Sequence, residues 1–273
     1  MNGNYFADKV SNTLLIPLAC KAEESRQKHP IIVDNVACDI LEKTHFDIKK
    51  YKNKKTSRVG TAIRAKYFDS EVIAFIGKNE KPVIISLGCG LDARYQRIGD
   101  IAKKAKFYYI DLADVIEARK KLIPCHENEK YLAGSILDNG WIDEVKRELH
   151  HDENLFFLIE GVLMYFPEKQ VRNIFNNLCE NFSKSRIIFD MLNSWLSKNS
   201  AKHDTVKNSG AEFSFGLDDE KEIERWNHKL IYVKTKLFTE FNEHKKMGKI
   251  ISFMMAHVDR YKTASKMVTY AIK

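Results

Sequence analysis

The stretch Val83-Ile84-Ile85-Ser86-Leu87-Gly88-Cys89-Gly90-Leu91-Asp92-Ala93 decides how the chain folds. Val83 to Leu87 is apolar but for one serine and lacks the polar alternation of a half-exposed strand, so it reads as a strand buried on both faces. Gly88 and Gly90 permit a sharp turn and let a ligand come close to the backbone. An amphipathic stretch over 92–104 follows, which completes a strand, glycine turn and helix start.

Working outward, the same alternation continues. Short apolar runs at 83–87, 107–110, 130–133, 155–159, 186–189, 229–234 and 249–255 read as strands. Amphipathic stretches at 92–104, 113–123, 141–149 and 168–182 lie between the first five. The last of these places Val171, Ile174, Phe175, Leu178 and Phe182 on one face at helical spacing. Strands alternating with helices of this length predict βαβ units and an α/β, doubly wound sheet. Residues 1–80 read instead as a helical extension. Leu14, Leu15, Leu18, Ala19 and Ala22 form one stripe, and Val33, Val36, Ala37, Ile40 and Leu41 a second. A third helix over 61–77 is expected to turn Ile63, Tyr67, Val72, Ile73 and Ile76 inward. The expected division is therefore 1–80 as a helical cap and 81–273 as the sheet domain. Residues 191–217 read as a lid-like insertion, because they follow a strand's C-terminal end, where open α/β sheets bind ligands.

Composition narrows the classes. In 273 residues, 44% are hydrophobic and 11% aromatic, which excludes disordered and collagen-like chains. No apolar run approaches a membrane span, and the opening MNGNYFADKVSN lacks the basic-then-apolar pattern of a secretory signal. Cys20, Cys38, Cys89, Cys125 and Cys179 are odd in number and scattered, so reduced thiols, a cytoplasmic setting and no metal centre are expected. The net charge of +8 is concentrated partly in Lys49, Lys50, Lys52, Lys54 and Lys55. This run reads as a solvated loop between helices, compatible with an anionic partner. With only Tyr51 interleaved, it lacks the stacking platform of a nucleic-acid binder. Neither a membrane nor a nucleic acid is expected as partner, and the oligomeric state is open.

The glycine turn fits G-x-G-x-x-[GA], with Ala93 in the last position. Asp111, at the end of Tyr108-Tyr109-Ile110-Asp111, stands 21 positions beyond Gly90, the spacing at which a carboxylate reaches ribose hydroxyls. Both NAD and S-adenosylmethionine carry such a ribose. The run Leu158-Ile159-Glu160-Gly161-Val162-Leu163-Met164-Tyr165-Phe166 separates them. A further acid at a strand end suits the ammonium and sulfonium of S-adenosylmethionine and repels a pyrophosphate. An NAD-linked reductase is therefore the lesser alternative.

Together, SLGCGLDARYQRI, YYIDLADVIEARKKLI and LFFLIEGVLMYFPEKQV resemble the leucine carboxyl methyltransferase family, closest to its bacterial branch of tetracenomycin-type polyketide O-methyltransferases. TLLIPLACKAEESRQKHPIIVDNVACDIL and AIRAKYFDSEV extend the resemblance over about residues 10–190. It implies a Rossmann-like class I methyltransferase sheet of seven strands, the last antiparallel, and S-adenosyl-L-methionine as donor. It further implies that Arg64 holds the cofactor carboxylate, a task suited to a planar, permanently charged fork. Lys21 or Arg26 would complete that clamp. Gly88, Cys89 and Gly90 would face the methionine moiety, Asp111 and Leu112 the ribose, and Glu160 and Gly161 the amino group side. The family's Asp-Leu-Arg after the third strand is replaced by Gly134-Ser135-Ile136-Leu137-Asp138, so Ser135 and Ile136 stand in as adenine contacts. The implied activity is O-methylation of a hydroxyl or carboxyl on a small molecule. Methylation of a protein C-terminus is the alternative within the family, and a non-catalytic member a further one. A carboxylate acceptor needs no base, whereas a phenol would gain from one. Tyr165, Asp190 and His203 are the candidates. Trp195, Phe213, Phe215 and Trp226 are candidates for an apolar acceptor pocket.

Overall fold

Seven strands form one sheet in the order β3-β2-β1-β4-β5-β7-β6. They are β1 (Pro82–Leu87), β2 (Lys106–Asp111), β3 (Glu129–Ala133), β4 (Asn154–Ile159), β5 (Ser185–Leu192), β6 (Leu230–Leu237) and β7 (Ser265–Ile272). The computed structural model describes residues 11–44, 46, 54–199 and 212–273. Parallel pairing joins β1 to β2 and β4, β2 to β3, and β4 to β5. β7 runs antiparallel to both β5 and β6. Every residue of β1 is buried, as its unbroken apolar run requires at the centre of a sheet covered on both faces. Strand order reverses between β1 and β4, and such a switch point opens a crevice at the strands' C-terminal ends.

The helices are α1 (Leu15–Ser25), α2 (Asn35–Lys43), α3 (Lys55–Lys78), α4 (Arg94–Ile98), α5 (Ala113–Leu122), α6 (Gly140–Glu148), α7 (Glu168–Asn181), α8 (Ser194–Ser197), α9 (Lys249–His257) and α10 (Asp259–Lys262). One face of the sheet is covered by the apolar sides of α6 and α7, including Trp141, Val145, Val171, Phe175 and Phe182. The other is covered chiefly by α3, whose Val59, Ile63, Phe68 and Val72 share a core with Ile84, Phe107, Phe156 and Ile188. A smaller cluster joins α1 and α2 to Leu91 and to Val115 of α5. The helical extension thus shares its core with the sheet. Among the described residues no helix is long and apolar enough to cross a membrane.

Several expectations need correction. The run 249–255 is helix α9, not the seventh strand; that strand is Ser265–Ile272. KIISFMM is apolar without a decisive period, and in the fold only one side of it meets the protein: Ile250 and Phe253 stay 76% and 64% exposed. Ile73 is 40% exposed rather than inward, and Val33 precedes α2 and faces solvent. The helix expected over 92–104 breaks at Gly99, whose φ of 67° ends α4 before a 3-10 turn over Gly99–Lys104. Lys54 and Lys55 open α3 instead of lying in a loop; Lys49, Lys50 and Lys52 fall outside the described residues. The lid begins later than residue 191, since β5 extends to Leu192. Its far end is tied down: Ser214 and Phe215 donate backbone N–H groups to Met164 O at 2.7 and 3.2 Å.

Candidate functional site

A cavity of about 930 Å³ opens at the C-terminal ends of β1, β2, β4 and β5. Its floor is made by the glycine turn. Gly88 and Gly90 have φ of 68° and 50°, the left-handed region that disfavours a side chain. A Cβ on Gly88 would also stand 2.5 Å from Val162 Cγ2. The turn is clamped to β2 by its own backbone: Gly88 N and Cys89 N donate to Ile110 O at 2.9 and 3.2 Å. From behind, the buried Arg119 donates to Gly90 O and Asp92 O, with its guanidinium 3.9 Å from the centre of the Tyr109 ring. Cys89 is buried, and burial pushes its thiol well above the ordinary range, so it is a small inert wall residue.

Asp111 ends β2 against this turn. Its Oδ2 accepts from Gly90 N at 2.7 Å and its Oδ1 from Leu112 N at 2.8 Å. Burial raises its carboxyl above the usual aspartate value, only partly offset by those two N–H groups. It is the one carboxylate lining the cavity that has no ion-pair partner among the described residues.

The other wall carboxylates belong to a connected network. Arg64 on α3 donates through Nε to Glu160 Oε1 at 3.0 Å and through Nη1 to Asp190 Oδ2 at 2.7 Å. Arg94 donates to Glu160 Oε2 at 2.5 Å and to Asp69 at 2.8 Å. Arg97 meets Asp34, Asp69 and Asp92, and Lys21 meets Asp34 and Asp92. Burial would raise the Asp92 carboxyl, but Arg97, Lys21 and Arg94 outweigh it and hold it well below the usual range. Burial likewise opposes the charge on Arg64, and Asp190 and Glu160 more than restore it. Four cations face five carboxylates in this network, which leaves the floor with an excess negative charge.

All eleven residues expected at the cofactor line this cavity: Lys21, Arg64, Gly88, Cys89, Gly90, Asp111, Leu112, Ser135, Ile136, Glu160 and Gly161. Tyr165 and Asp190 line it too. Asp190 is spent locally, because its Oδ1 accepts from Gly161 N at 2.5 Å while Oδ2 holds Arg64. His203 lies outside the described residues. Arg26 pairs with Glu42 on the exposed surface, away from the cavity lining. Trp195 and Phe213 line the cavity, but Phe215 and Trp226 pack in the core, Trp226 against Phe175 and Phe215 against Trp226. The sequence reading missed Arg94 and Arg97, whose three-residue spacing after the glycine turn puts both on one helical side. It also missed the C-terminal wall, made by Phe238, Met254, Met255, Arg260 and Tyr261, where no motif stood.

The residues present fit S-adenosylmethionine. Two glycines with positive φ make room against the backbone, and the ribose-spaced Asp111 keeps lone pairs free of any cation. Leu112, Ile136 and Leu137 supply an apolar slot. The surplus negative charge suits a ligand with two positive groups and one carboxylate.

A model of the leucine carboxyl methyltransferases matches residues 15–179. The chain is 24% identical over 215 residues to the tetracenomycin polyketide synthesis O-methyltransferase TcmP of Streptomyces glaucescens, covering 79% of this chain and 78% of that protein. It is 24% identical over 233 residues to the S-adenosyl-L-methionine-dependent methyltransferase dpfgK of Gibberella zeae, with the same coverage. In fold it resembles a DUF574 family protein from Streptomyces avermitilis, with a TM-score of 0.59 at 11% identity over 86% of this chain and 94% of that one. It also resembles a SAM-dependent methyltransferase from Anabaena variabilis, with a TM-score of 0.50 at 12% identity over 75% and 83%.

Proposed function

The chain belongs to the leucine carboxyl methyltransferase family, and from that premise we propose that it methylates a hydroxyl or carboxyl oxygen of a small molecule. It is an S-adenosylmethionine-dependent methyltransferase. When bound, the cofactor would supply an electrophilic methyl group on a positively charged sulfur, whose C–S bond breaks in line with the acceptor oxygen so that S-adenosylhomocysteine is the leaving group.

In this reading the chain's residues align and exclude water more than they transfer protons. Lys21 and Arg64 face the cofactor's carboxylate, Glu160 and Gly161 its amino group side, and Asp111 and Leu112 its ribose. Ser135 and Ile136 flank its adenine. Glu160 and Asp190 hold Arg64 from two sides, and Asp190, whose two oxygens are taken by Arg64 and by Gly161 N, is a positioning residue. The observation that carries the reading is the wall of Trp195, Phe213, Met254, Met255 and Tyr261 facing the glycine turn, an apolar enclosure for a small molecule. The preferred acceptor is an oxygen that is already ionised, a carboxylate or an acidic phenol, because such an oxygen needs no base. The O-methyltransferase relative from Streptomyces supports the same reading. Tyr165 adjoins Phe213, with ring centres 5.6 Å apart, and is placed to flank the acceptor. The five cysteines, none of them in a disulfide, fit a reducing, cytoplasmic setting.

Incubating the enzyme with labelled S-adenosylmethionine and a set of aromatic acids and phenols tests the proposal. Transfer to a small oxygen acceptor is expected. Alkali then separates the products, because a methyl ester releases its label as methanol and a methyl ether does not. Transfer only to nitrogen, or only to a peptide's C-terminal carboxylate, would overturn the small-molecule reading.

A further inference from the structure

Charge is unevenly divided in the cavity. Asp92, Asp111, Glu160 and Asp190 all lie on the strand-end side, and three of them are held by Lys21, Arg64, Arg94 or Arg97. The opposite wall, from α8, α9 and α10, presents aromatic and methionine side chains and a single cation, Arg260. No carboxylate among the described residues stands within ion-pair distance of that guanidinium. It is held by rings instead: its Cζ lies 5.4 Å from the Trp195 ring centre and 5.2 Å from that of Tyr261. The two rings meet edge-on, 5.1 Å apart. The backbone below is fixed to the end of β5, since the buried Asn193 donates through Nδ2 to Arg260 O at 2.9 Å and through its own N–H to Ala264 O at 3.1 Å.

An arginine seated on two rings keeps its planar fork pre-organised, with donors still open to a planar anion. An apolar wall that ends in such a fork recognises a flat, apolar body carrying one carboxylate. We propose that Arg260, held by Trp195 and Tyr261, forms an anion subsite for the methyl acceptor, and that the acceptor is a small aromatic acid. This rests on the small-molecule reading above and narrows it. Arg260 lies beyond the span matched by the family model, residues 15–179, on the C-terminal wall of the cavity. Arg260 determines specificity and takes no part in holding the cofactor.

The test titrates the enzyme, saturated with S-adenosylhomocysteine, with hydroxybenzoates and hydroxynaphthoates and with the methyl ester of each, following tryptophan fluorescence or heat. Wild type should bind at least one acid about 10-fold or more tightly than its ester. Arg260→Gln should weaken that acid by about 10- to 100-fold, the range of a charge-assisted hydrogen bond. Ester binding and S-adenosylhomocysteine affinity should stay unchanged. Equal binding of acids and esters by wild type, or an acid affinity indifferent to Arg260→Gln, overturns the subsite. A peptide ending in a free carboxylate, with its amide as control, forms a second arm. Arg260-dependent binding of that peptide in preference to every aromatic acid would overturn the assignment to a small molecule. Arg260-dependent binding of an acid without methyl transfer to it would uphold the subsite and refute the acceptor reading on which it was built.

Discussion

Asp111 illustrates how a single carboxylate acquires a role from its surroundings. Two backbone N–H groups orient it, and its burial is not answered by any paired cation among the described residues. Protonation would therefore set in at a higher pH than for an ordinary aspartate, near ~3.9. The fold favours the neutral form of this group, so acidification through its raised pKa relieves a native-state penalty and costs no stability here. In the proposed site, ligand affinity moves the other way, because a ribose facing Asp111 needs the ionised acceptor. Calorimetric titration with S-adenosylhomocysteine should show affinity falling on acidification, starting above the ordinary aspartate range. Asp111→Asn should weaken binding by about 10- to 100-fold at neutral pH and flatten that pH dependence. A variant that kept both the affinity and the pH profile would remove Asp111 from the ribose site.

At the scale of elements, the glycine turn between β1 and α4 is held by two separable constraints. Gly88 has φ of 68°, and its missing Cβ leaves room for Val162. Gly88→Ala should cost about 1–2 kcal/mol for the backbone conformation and about 1–3 kcal/mol for the clash. Adding Val162→Ala should recover only the steric part. Denaturant unfolding of the single and double variants reads the two contributions apart, and full recovery in the double variant would show that backbone strain is negligible. The α9 helix carries a complementary lesson. Its apolar residues divide between cavity and solvent, with Met254 and Met255 inward and Ile250 and Phe253 outward. Hydrophobicity alone therefore did not reveal which secondary structure the run would take.

At the scale of the whole molecule, the ionic network fastens the helical extension to the sheet. Glu160 at the end of β4 bridges Arg64 of α3 and Arg94 of α4. Glu160→Gln leaves two largely buried guanidinium groups short of a counter-charge. Removing one partner of such a cluster should cost about 3 kcal/mol, which lowers Tm by roughly 6–12 °C for a chain of this size. Scanning calorimetry checks the figure, and a Tm within a degree or two of wild type would mean that the network relaxes around the loss. The proposed boundary at residue 80 has the same consequence. A fragment of residues 81–273 would leave the sheet face under Val59, Ile63, Phe68 and Val72 uncovered and would not hold a native core.

Whereas Arg64 followed from the family resemblance, the sequence alone determined the strand-glycine turn-helix unit, the parallel strands around it and the positions of Gly88, Gly90, Asp111 and Glu160. These features were legible because they follow from local rules: burial on both faces demands unbroken apolar runs, and positive φ demands glycine. Tertiary structure decided the rest. Asp69, Arg97, Asp190 and Lys21 are distant in the chain, and only the stacking of α1, α3 and α4 over the strand ends makes them one network. The run Met267 to Ile272 carries β-branched and aromatic residues of its own, but only its pairing with β5 and β6 shows that it, and not 249–255, is the seventh strand. Arg260 has no motif around it. Only the fold brings Trp195 and Asn193, from just past the end of β5, beside Arg260 and its chain neighbour Tyr261, and the proposed acceptor subsite rests on that placement.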